Sequence, residues 1–569
     1  MVATAENTDT RLIGKRMKRK EDPRFITGQG RYVEDITLHR MLHAAILRSP
    51  YAHARIKSID TSAARAMPGV VAVYTGQDIE LPPLPYAWQV AGVQNNVNTQ
   101  SIIAKEEVHS TGDSVAVVVA ETVAQAFDAL DAIQVDYDVL PAVVDAEKAT
   151  QPGAPQLHEN APNNIVFEWS CGDGEATIAA LEQAEVRIEH HLRNQRLIPT
   201  PMEMRGAIGD YNVGTEELTL YTNSQAPHVH RLVLAAFVLG VPEQNIRVIS
   251  PDIGGGFGAK IFLYSEQVLV CWLARELHRP VKWIERRSES HSTTQHGRDH
   301  ITSIEIGAQR DGTVTALHVK TLANMGSYLS TASGGIPTTL YGRMVAGVYK
   351  IPHIHVEVTG VFTNTGMVDA YRGAGRPEAT FVIERVMNVV ARKLDLDPTD
   401  VRRKNFIPSD AFPYDTGLGM LPYDSGDYPK ALNRALEMLD YQALLAEQAS
   451  RRNGEGNGKH LGIGFSTYVE TCGLAPSAWM ASQGWGAALF ESANVKIHLT
   501  GKVVVTTGSM PHGQGHETTF SQVVADRLGV PFEDVQIKFG DTLGTPFGYG
   551  TYGSRSLAVG GEAIVRCTN

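Results

Sequence analysis

The stretch Asp252-Ile-Gly-Gly-Gly-Phe-Gly-Ala-Lys260 follows an apolar run at residues 245–250 and precedes a long helical pattern. We expect a strand, a glycine loop and a helix in that order. Glycines let the backbone approach a ligand closely, and consecutive N–H groups near a helix N-terminus favour an anion. The stretch matches neither G-x-G-x-x-G nor G-x-x-x-x-G-K-[ST], so a tight turn without a ligand is the competing interpretation.

The composition is that of an ordinary globular protein without a membrane span. A chain of 569 residues exceeds one hydrophobic core, so we expect roughly two to four domains. The formal net charge of -11 argues against nucleic-acid binding, and the basic run at residues 15–20 is interpreted as a solvated or subunit-facing segment. No apolar run is long enough to cross a bilayer, and the first residues lack a signal-peptide pattern, so we expect a cytoplasmic protein.

The cysteines lie far apart in the sequence, at Cys171, Cys271, Cys472 and Cys567, and form no C-x-x-C pair. We therefore do not expect this chain alone to hold an iron–sulfur cluster or a structural zinc ion. The chain also lacks a G-x-S-x-G motif, which argues against a serine nucleophile. If electrons leave this protein, another polypeptide has to carry them.

Residues 41–140 predict a compact α+β domain. β-branched residues predict strands, and these lie at residues 42–48, 70–74, 115–120 and 134–139. Thr122 is placed to cap a helix before the last of these strands. Prolines, glycine and asparagines at residues 150–164 predict a linker.

The remainder of the chain continues to alternate between strands and helices. Predicted elements are a strand at 217–221, a helix at 227–239 ended by Gly240, a hairpin at 302–319 and a helix from Arg376 with an apolar face that includes Phe381 and Val389. On that helix, Glu378 and Glu384 are predicted to be a helix-start charge and a helix-face ion pair. Polar residues at 445–460 predict a second linker.

An internal repeat relates two halves of the chain. Leu239-Gly-Val-Pro242 recurs as Leu528-Gly-Val-Pro531. The same offset relates two further pairs, Gln225 with Gln514 and Asp252 with Asp541. A second loop, residues 541–548, ends in the same Phe-Gly pair as the opening stretch. We expect a ligand between the halves, where both loops and both glutamines converge; chance similarity of a helix-to-strand connection is the alternative.

Several polar, glycine-rich turns are poorly suited to a plain core. They lie at residues 224–228, 369–376, 512–518 and 549–556. Their amides, hydroxyls and guanidinium groups are suited to a large phosphate-bearing cofactor. His512 and His516 have the spacing of two zinc ligands on a helix, but Gly513 and Gly515 argue against a helix there. A loop histidine at 516 and a helix-start carboxylate at Glu517 are the alternative interpretation.

The motifs Asp252-Ile-Gly-Gly-Gly-Phe-Gly-Ala-Lys260, Ala370-Tyr-Arg-Gly-Ala-Gly-Arg-Pro-Glu378, His512-Gly-Gln-Gly-His-Glu517 and Gly553-Ser-Arg-Ser556 together resemble one family. It is the molybdopterin-binding large subunits of the xanthine dehydrogenase and aldehyde oxidase family, in its carbon monoxide dehydrogenase-like branch. The resemblance implies an α+β fold with an internal duplication. It implies an N-terminal arm at 1–26, an α/β hammerhead domain at 27–148, and molybdopterin-binding domains at 165–410 and 411–569, the second incomplete.

The resemblance also implies roles for individual residues. Gln225 would bond an oxygen ligand of molybdenum, and Gly256, Phe257 and Gly258 would line the apical side of the metal. Residues 370–375 would face the substrate, with Arg372 and Gly373 beside the metal. The residues implied to hold the pterin and its phosphates are Gln514, Gly515, His516, Thr518, Thr551, Tyr552, Gly553, Ser554, Arg555 and Ser556.

The cofactor implied by the resemblance is molybdenum held by a pterin dithiolene, without a protein side chain on the metal, in the cytosine dinucleotide form. The implied reaction oxidises an electron-poor carbon of a small-molecule substrate with oxygen from water. Because this chain has no electron-carrier motif, the implied partners are a medium subunit that binds FAD and a small [2Fe-2S] subunit.

The sequence departs from the branch that it resembles at Gly373. In carbon monoxide dehydrogenases the loop is Ala-Tyr-Arg-Cys, and that cysteine holds a copper ion. A glycine offers copper no thiolate, so we expect an aldehyde or N-heteroaromatic substrate and little oxidation of carbon monoxide. A carbon monoxide dehydrogenase-type subunit is the alternative.

A further departure concerns the general base. The family's glutamate base lies in a Gly-Glu motif late in a longer subunit, and Glu562 belongs to an earlier segment. We expect either a fragment of a longer protein or a split subunit completed by another polypeptide. A cofactor-binding half that is silent in catalysis is therefore a second hypothesis, and a sugar- or nucleotide-binding module without redox chemistry is a third.

Overall fold

The computed structural model describes residues 11–486 and 489–569. The strands are β1 Leu42–Arg48, β2 Ala54–Asp60, β3 Val70–Thr75, β4 Glu107–Val108, β5 Ser114–Ala120, β6 Gln134–Val139, β7 Ile165–Gly172, β8 Val186–Asn194, β9 Gly206–Asn212, β10 Glu217–Thr222, β11 Ile246–Ile249, β12 Val281–Ile284, β13 His300–Ala308, β14 Val314–Gly326, β15 His353–Phe362, β16 Ala493–Ile497, β17 Val503–Thr507 and β18 Val535–Lys538.

The α-helices are α1 Asp22–Ile26, α2 Ser62–Arg65, α3 Val123–Leu130, α4 Ala146–Ala149, α5 Gly174–Glu182, α6 Pro227–Val233, α7 Ser265–Leu277, α8 Arg287–Thr293, α9 Arg376–Leu394, α10 Pro398–Asn405, α11 Tyr428–Leu439, α12 Tyr441–Ser450, α13 Ser477–Ser482, α14 His516–Leu528 and α15 Glu562–Cys567. The 3-10 turns are Val33–Asp35, Pro162–Asn164, Glu243–Asn245, Ser333–Gly335, Gly342–Met344 and Phe532–Asp534, and the π turns are Leu234–Leu239, Ile336–Tyr341, Arg451–Glu455 and Ser556–Gly561. Within the described residues, no helix is both long and apolar enough to cross a membrane.

The N-terminal strands and helix form where the sequence predicts them. Thr122 caps α3 by accepting a hydrogen bond from the Gln125 N–H, as expected. These strands do not close into an independent sheet, however, because β1 pairs with β5 on one side and with β12 on the other. The result is a seven-stranded sheet in the order β11-β10-β9-β12-β1-β5-β3 that joins residues 42–120 to residues 206–284. Strands β4, β2 and β6 form a separate small sheet.

Helix α7 packs against this large sheet and follows the opening glycine loop, so the predicted order of strand, loop and helix is confirmed. The helix lies very close to β9. A side chain on Gly209 would collide with the backbone of Val270, so the close approach requires a glycine at that point of β9.

A five-stranded sheet, β7-β15-β14-β13-β8, carries the largest apolar core, and the predicted hairpin between β13 and β14 is confirmed. Helix α9 begins at Arg376 as predicted, but its buried apolar face is centred on Val382, Val386 and Val390, which are spaced four residues apart. The predicted placement of Phe381 on that face is wrong, since its side chain is exposed.

Both glutamates of α9 are buried in ion pairs. Glu384 pairs with Arg402 at 2.7 Å, so the predicted ion pair is confirmed, although it lies in the interior. Glu378 lies in the first turn of α9, as expected, and contacts Arg298 at 3.2 Å. The second predicted linker is wrong in part, because good helix formers extend α12 to Ser450 and a π turn follows.

The repeat seen in the sequence is a repeat of structure. In the first half, β9 and β10 are antiparallel, α6 follows, Gly240 ends the helical segment with a left-handed φ of 61°, and β11 returns parallel to β10. In the second half, β16, β17, α14, Gly529 with a φ of 68° and β18 repeat the same order and the same pairing. The chance-similarity alternative is therefore excluded.

Residues 11–26 of the N-terminal arm pack against both halves, while Lys15, Arg16, Lys18 and Arg19 of the basic run are exposed, in agreement with a solvated run. The backbone N–H of Ile13 donates to Asp526 at 2.8 Å, and the Lys20 ammonium donates to the carbonyl oxygen of Phe532 at 2.8 Å. Arg24 then bridges the two halves, since its guanidinium contacts Asp252 at 2.8 Å and Glu517 at 2.6 Å. Lys20 and Arg24 bind within the chain because they meet carbonyl and carboxylate oxygens there.

Candidate functional site

A cavity of about 640 Å³ lies between the two halves. Its size is in the range of small-molecule and cofactor sites. Most of the residues singled out from the sequence line it: Gln225, Phe257, Gly258, Arg372, Gly373, Gln514, His516, Thr551, Tyr552, Gly553, Ser554, Arg555 and Ser556. Gly256, Gly515 and Thr518 do not line it.

Gln225 is the buried centre of the site. Its Oε1 atom accepts hydrogen bonds from the N–H groups of Gly258 at 2.9 Å and Lys260 at 3.4 Å, and its Nε2 donates to the carbonyl oxygen of Thr551 at 3.0 Å. One glutamine side chain therefore joins the glycine loop of the first half to the last polar turn of the second. A carboxamide nitrogen has two N–H groups, so a second donor remains available at the cavity wall.

Part of the predicted anion cradle is occupied by the protein itself. The N–H of Gly254 donates to Glu203 at 2.8 Å, and the Gly258 and Lys260 N–H groups donate to Gln225. The N-terminus of α7 already has a negative charge beside it, because Glu266 in its first turn is buried in ion pairs with Arg48 and Arg205. The prediction is wrong for these groups because acceptors from distant parts of the chain occupy them.

The glycine loop is shaped by very close approaches. A side chain on Gly256 would collide with the amide of Gln225, and one on Gly258, where φ is 103°, would collide with the carbonyl oxygen of Ala370. Phe257 adopts a left-handed φ of 55° and accepts a hydrogen bond from the Arg372 N–H at 2.9 Å. The Arg372 guanidinium lies 5.7 Å from the centre of the Phe257 ring. The two loops therefore form one wall.

The segment 369–376 is held rigidly from behind. Arg298 donates to the carbonyl oxygens of Tyr371 at 2.9 Å and Arg372 at 2.7 Å. Asp369 accepts hydrogen bonds from the N–H groups of Ala332 and Ala370, and burial raises its pKa from 3.8 to about 6. These contacts anchor the backbone of a loop whose other face borders the cavity.

His512 and His516 border the cavity from the second half. Burial lowers the pKa of His512 to about 3 and that of His516 to about 4, so both rings are neutral near pH 7. The His512 Nε2 atom forms a hydrogen bond with the Gln514 side-chain amide at 2.7 Å. His516 begins α14, and its buried Nδ1 atom has no hydrogen-bond partner, which leaves a polar atom for a ligand.

Arg555 is not free to hold a phosphate with its whole guanidinium group. Its side chain and that of Glu491 form a fully buried ion pair, and Arg555 also donates to the carbonyl oxygens of Gly550 at 2.7 Å and Phe490 at 2.9 Å. Thr518 is likewise committed, since its hydroxyl donates to Glu21 at 2.6 Å. Both residues position the polar turns, and the Arg555 Nε atom is a buried donor that still has no partner.

The loop at 541–548 does not reach the cavity, contrary to our expectation that both loops converge there. It joins the halves at the edge of β11, where Arg247 pairs with Asp541 at 2.6 Å and the Thr542 N–H donates to Val248. Both glutamines do line the cavity. The ligand site therefore takes one loop from the first half and the turn at 549–556 from the second.

An apolar wall was missed by the sequence analysis. Its residues are Trp88, Ile261, Phe262, Ile336, Leu340, Leu474, Trp485 and Leu489. The rings of Trp88 and Trp485 meet edge to face with centroids 5.4 Å apart. Trp88 comes from the N-terminal region, far from every polar motif, so local sequence held no signal for it. This wall is suited to the flat ring or apolar body of a substrate.

The residues present fit a large, hydrogen-bonding organic cofactor. The second N–H of Gln225, the unpaired Nδ1 of His516 and the hydroxyls of Thr551, Ser554 and Ser556 lie among the lining residues together with the apolar wall.

The duplicated unit and the cavity between its copies define a cofactor-binding subunit. Models of the molybdopterin cofactor-binding domain match residues 157–406 and 434–569, and the aldehyde oxidase and xanthine dehydrogenase a/b hammerhead domain matches residues 27–141. The chain belongs to the xanthine dehydrogenase and aldehyde oxidase family, as a molybdopterin-binding large subunit of an oxidoreductase.

Its relatives include subunits with different substrates in their names. The carbon monoxide dehydrogenase large chain of Hydrogenophaga pseudoflava is 41% identical over 99% of this chain and 71% of the relative. The nicotine 6-hydroxylase large subunit of Paenarthrobacter nicotinovorans is 35% identical over 98% of this chain and 67% of the relative. The structure of quinoline 2-oxidoreductase from Pseudomonas putida 86 superposes with a TM-score of 0.92 at 37% identity, over 98% of this chain and 70% of that one.

Proposed function

We propose that this chain is the catalytic large subunit of a molybdenum hydroxylase that oxidises an aldehyde or an N-heteroaromatic carbon, and that carbon monoxide is not its substrate. The observation that carries this proposal is Gly373 in the cavity wall, at the position where a copper-holding cysteine is expected of carbon monoxide dehydrogenases. Relatives named for nicotine and quinoline support a ring substrate.

The local geometry strengthens the argument from Gly373. Its φ is 102°, which disfavours any side chain, and a Cβ atom there would collide with the ring of Pro377. None of the described residues that line the cavity is a cysteine, so no thiolate is offered to copper from another position. The wall instead presents the Arg372 guanidinium and aromatic rings.

The proposed cofactor is molybdenum with molybdopterin cytosine dinucleotide. Gln225 would hold it through its second N–H, and His516 with residues 551–556 would hold its pterin and phosphates. When bound, the cofactor supplies the redox chemistry that oxidises a carbon atom with oxygen from water. Gln225 itself cannot swing away, because the Gly258 N–H and the Thr551 carbonyl fix its carboxamide.

The other residues of the cavity would bind and orient the substrate. Trp88 and Trp485 offer edge-to-face contacts to an aromatic ring. Arg372 would attract a ring nitrogen or a carbonyl oxygen through its guanidinium N–H groups. The Arg298 contacts to the backbone of residues 371 and 372 keep that cation in place.

Electrons would leave through partner subunits, which we propose to be a medium subunit with FAD and a small subunit with [2Fe-2S]. The support is that the four cysteines are free and scattered. A relative from Paenarthrobacter nicotinovorans, 30% identical, is named as a subunit of a dehydrogenase complex. Domain limits beyond the matched residues, the cytoplasmic location and a polypeptide that would supply further C-terminal residues stay predictions.

A substrate and metal test decides between the two hydroxylase classes. The complex purified with its natural partners is assayed for molybdenum, copper and cytosine monophosphate released by hydrolysis, and for dye reduction by quinoline, benzaldehyde and carbon monoxide. We expect molybdenum and cytosine without copper, and dye reduction by a ring or aldehyde substrate. Stoichiometric copper together with rapid oxidation of carbon monoxide would overturn the proposal in favour of the carbon monoxide dehydrogenase type, which the 41% identity otherwise supports.

A further inference from the structure

A compact group of metal-ligating side chains lies on the five-stranded sheet, outside the cofactor cavity. We propose that His318, His355 and Glu357 bind a first-row divalent cation such as Zn²⁺. Their ligand atoms all lie within 4.8 Å of one another. Imidazole nitrogen and carboxylate oxygen are ligands that zinc accepts, with a water molecule filling the fourth position of an accessible site.

Strand pairing brings the three residues together on one face of the sheet. In the parallel pair of β14 and β15, His318 is the direct neighbour of His355. Glu357 follows His355 by two residues, so its side chain points to the same face. The site is therefore built on rigid strands, which hold ligands more precisely than loops do.

Each imidazole ring has a partner at its Nδ1 atom, which leaves the Nε2 atoms facing Glu357. The Nδ1 of His355 lies 3.2 Å from the carbonyl oxygen of Cys171, so this nitrogen carries the proton and donates it. The Nδ1 of His318 lies 3.5 Å from the carboxylate of Glu305. A metal-bound histidine usually has such a partner at its other ring nitrogen, because that partner fixes the ring orientation and the tautomer.

The inward-facing atoms are separated by distances that suit a cation between them. The His355 Nε2 lies 3.4 Å from one oxygen of Glu357, and the His318 Nε2 lies 3.6 Å from the other. For bonds of about 2.0–2.1 Å to zinc in tetrahedral geometry, neighbouring ligand atoms are about 3.3–3.4 Å apart. His318 is only 5% exposed, and its Nε2 has no hydrogen-bond partner. A bound cation would satisfy this buried atom.

A second histidine cluster provides an internal contrast. His53, Glu107 and His109 also lie close together, but the His53 Nε2 is 2.6 Å from the Glu107 carboxylate. That distance is a direct hydrogen bond, which already satisfies both atoms and leaves no room for an ion between them. We therefore place the cation at His318 and not at His53.

The Lys320 side chain competes with the proposed metal ion for the Glu357 carboxylate. The Lys320 ammonium lies 3.7 Å from the Glu357 carboxylate, while its side chain is largely exposed. It can move aside when a divalent ion binds, but its charge opposes that ion. Removing the charge should therefore tighten binding, which is an effect that a merely structural role for these residues would not produce.

The test is calorimetric titration of Zn²⁺ into the metal-stripped, folded full chain, with Co²⁺ absorption as a second readout. We expect one tight site per chain and the visible bands of four-coordinate cobalt. His318→Gln and Glu357→Gln should each weaken binding by at least about 100-fold through loss of a ligand, and Glu305→Gln by about 10-fold through loss of the orienting carboxylate. Lys320→Gln should tighten binding several-fold.

Matched controls are His191→Gln on the same sheet face and His53→Gln in the other cluster. Both should leave the affinity for Zn²⁺ unchanged. Because Glu357 is well exposed, its glutamine variant should fold normally, and a metal-free melting temperature equal to that of the parent verifies this. Absence of a site tighter than millimolar, equal binding by Glu357→Gln, or loss of binding in His53→Gln would each overturn the proposal.

Discussion

The two halves share the same order of strands and helix, but their glutamine side chains differ in burial and in hydrogen bonding. In the first half, the Gln225 side chain is buried and joins three backbone groups from two segments. In the second half, the Gln514 side chain is exposed and bonds only to its near neighbour His512. Packing therefore makes the first glutamine a rigid support, whereas the second is exposed at the cavity wall.

The loops that follow differ in the same way. Residues 254–258 include left-handed φ values at Gly255, Phe257 and Gly258 and press against residues 370–371. No residue of 541–548 has a left-handed φ, and this loop pairs with the edge of β11. The second loop thus joins the two halves and does not line the cavity.

The largest expected effect comes from adding one methyl group to the first loop. Gly258→Ala places a Cβ atom against the carbonyl oxygen of Ala370 at a φ of 103°. Strain of about 1–3 kcal/mol plus the collision should force the two loops apart. We expect molybdenum content and dye-linked activity of the purified complex to fall by at least about 10-fold, measured by elemental analysis and steady-state assay.

A glycine of the second loop that has no close neighbour provides the control. Gly544→Ala occupies the position related to Gly255 by the repeat, and its Cβ would have no neighbour closer than 3.9 Å. We expect metal content and activity within twofold of the parent, about 0.4 kcal/mol in free energy. Equal losses in both variants would contradict the proposed difference between the loops.

A smaller effect is expected from exchanging each glutamine for leucine. Gln225→Leu leaves the buried N–H groups of Gly258 and Lys260 without an acceptor, at a cost of about 1–3 kcal/mol. Gln514→Leu removes one exposed contact and should change stability by less than about 0.5 kcal/mol. Thermal melting and hydrogen exchange of the 254–264 segment measure both, and faster exchange there should appear only in the Gln225 variant.

The last expected effect concerns the pH dependence of stability. Burial raises the pKa of Asp369 to about 6, so between pH 4 and 6 the folded state keeps a proton that the unfolded state has lost. Stability from this group is therefore greatest below pH 4 and falls as the pH rises to 6. Asp369→Asn should remove that fall, which is seen by comparing melting temperatures of both proteins at pH 4.5 and 7. An unchanged pH dependence would show that other groups dominate.

Predictions from local patterns agreed with the structure where neighbouring residues decide the outcome. Short runs of mainly apolar residues formed β1 and β5, Thr122 capped α3, and Gly240 ended its helix, because each depends on a few adjacent residues. The polar region at 445–460 was mispredicted, since the helix-forming residues within it outweighed its overall polarity.

Contacts between distant residues decided the rest. The sequence by itself determined the family, the repeated plan and the set of polar turns, because these are carried by short motifs and their spacing. Only the tertiary structure decided that Gln225 accepts hydrogen bonds from the loop N–H groups, that Glu491 forms an ion pair with Arg555, and that Trp88 lines the cavity. Each of these contacts joins residues that are far apart in the sequence and depends on their burial and geometry in the folded chain. Local sequence patterns therefore do not predict them.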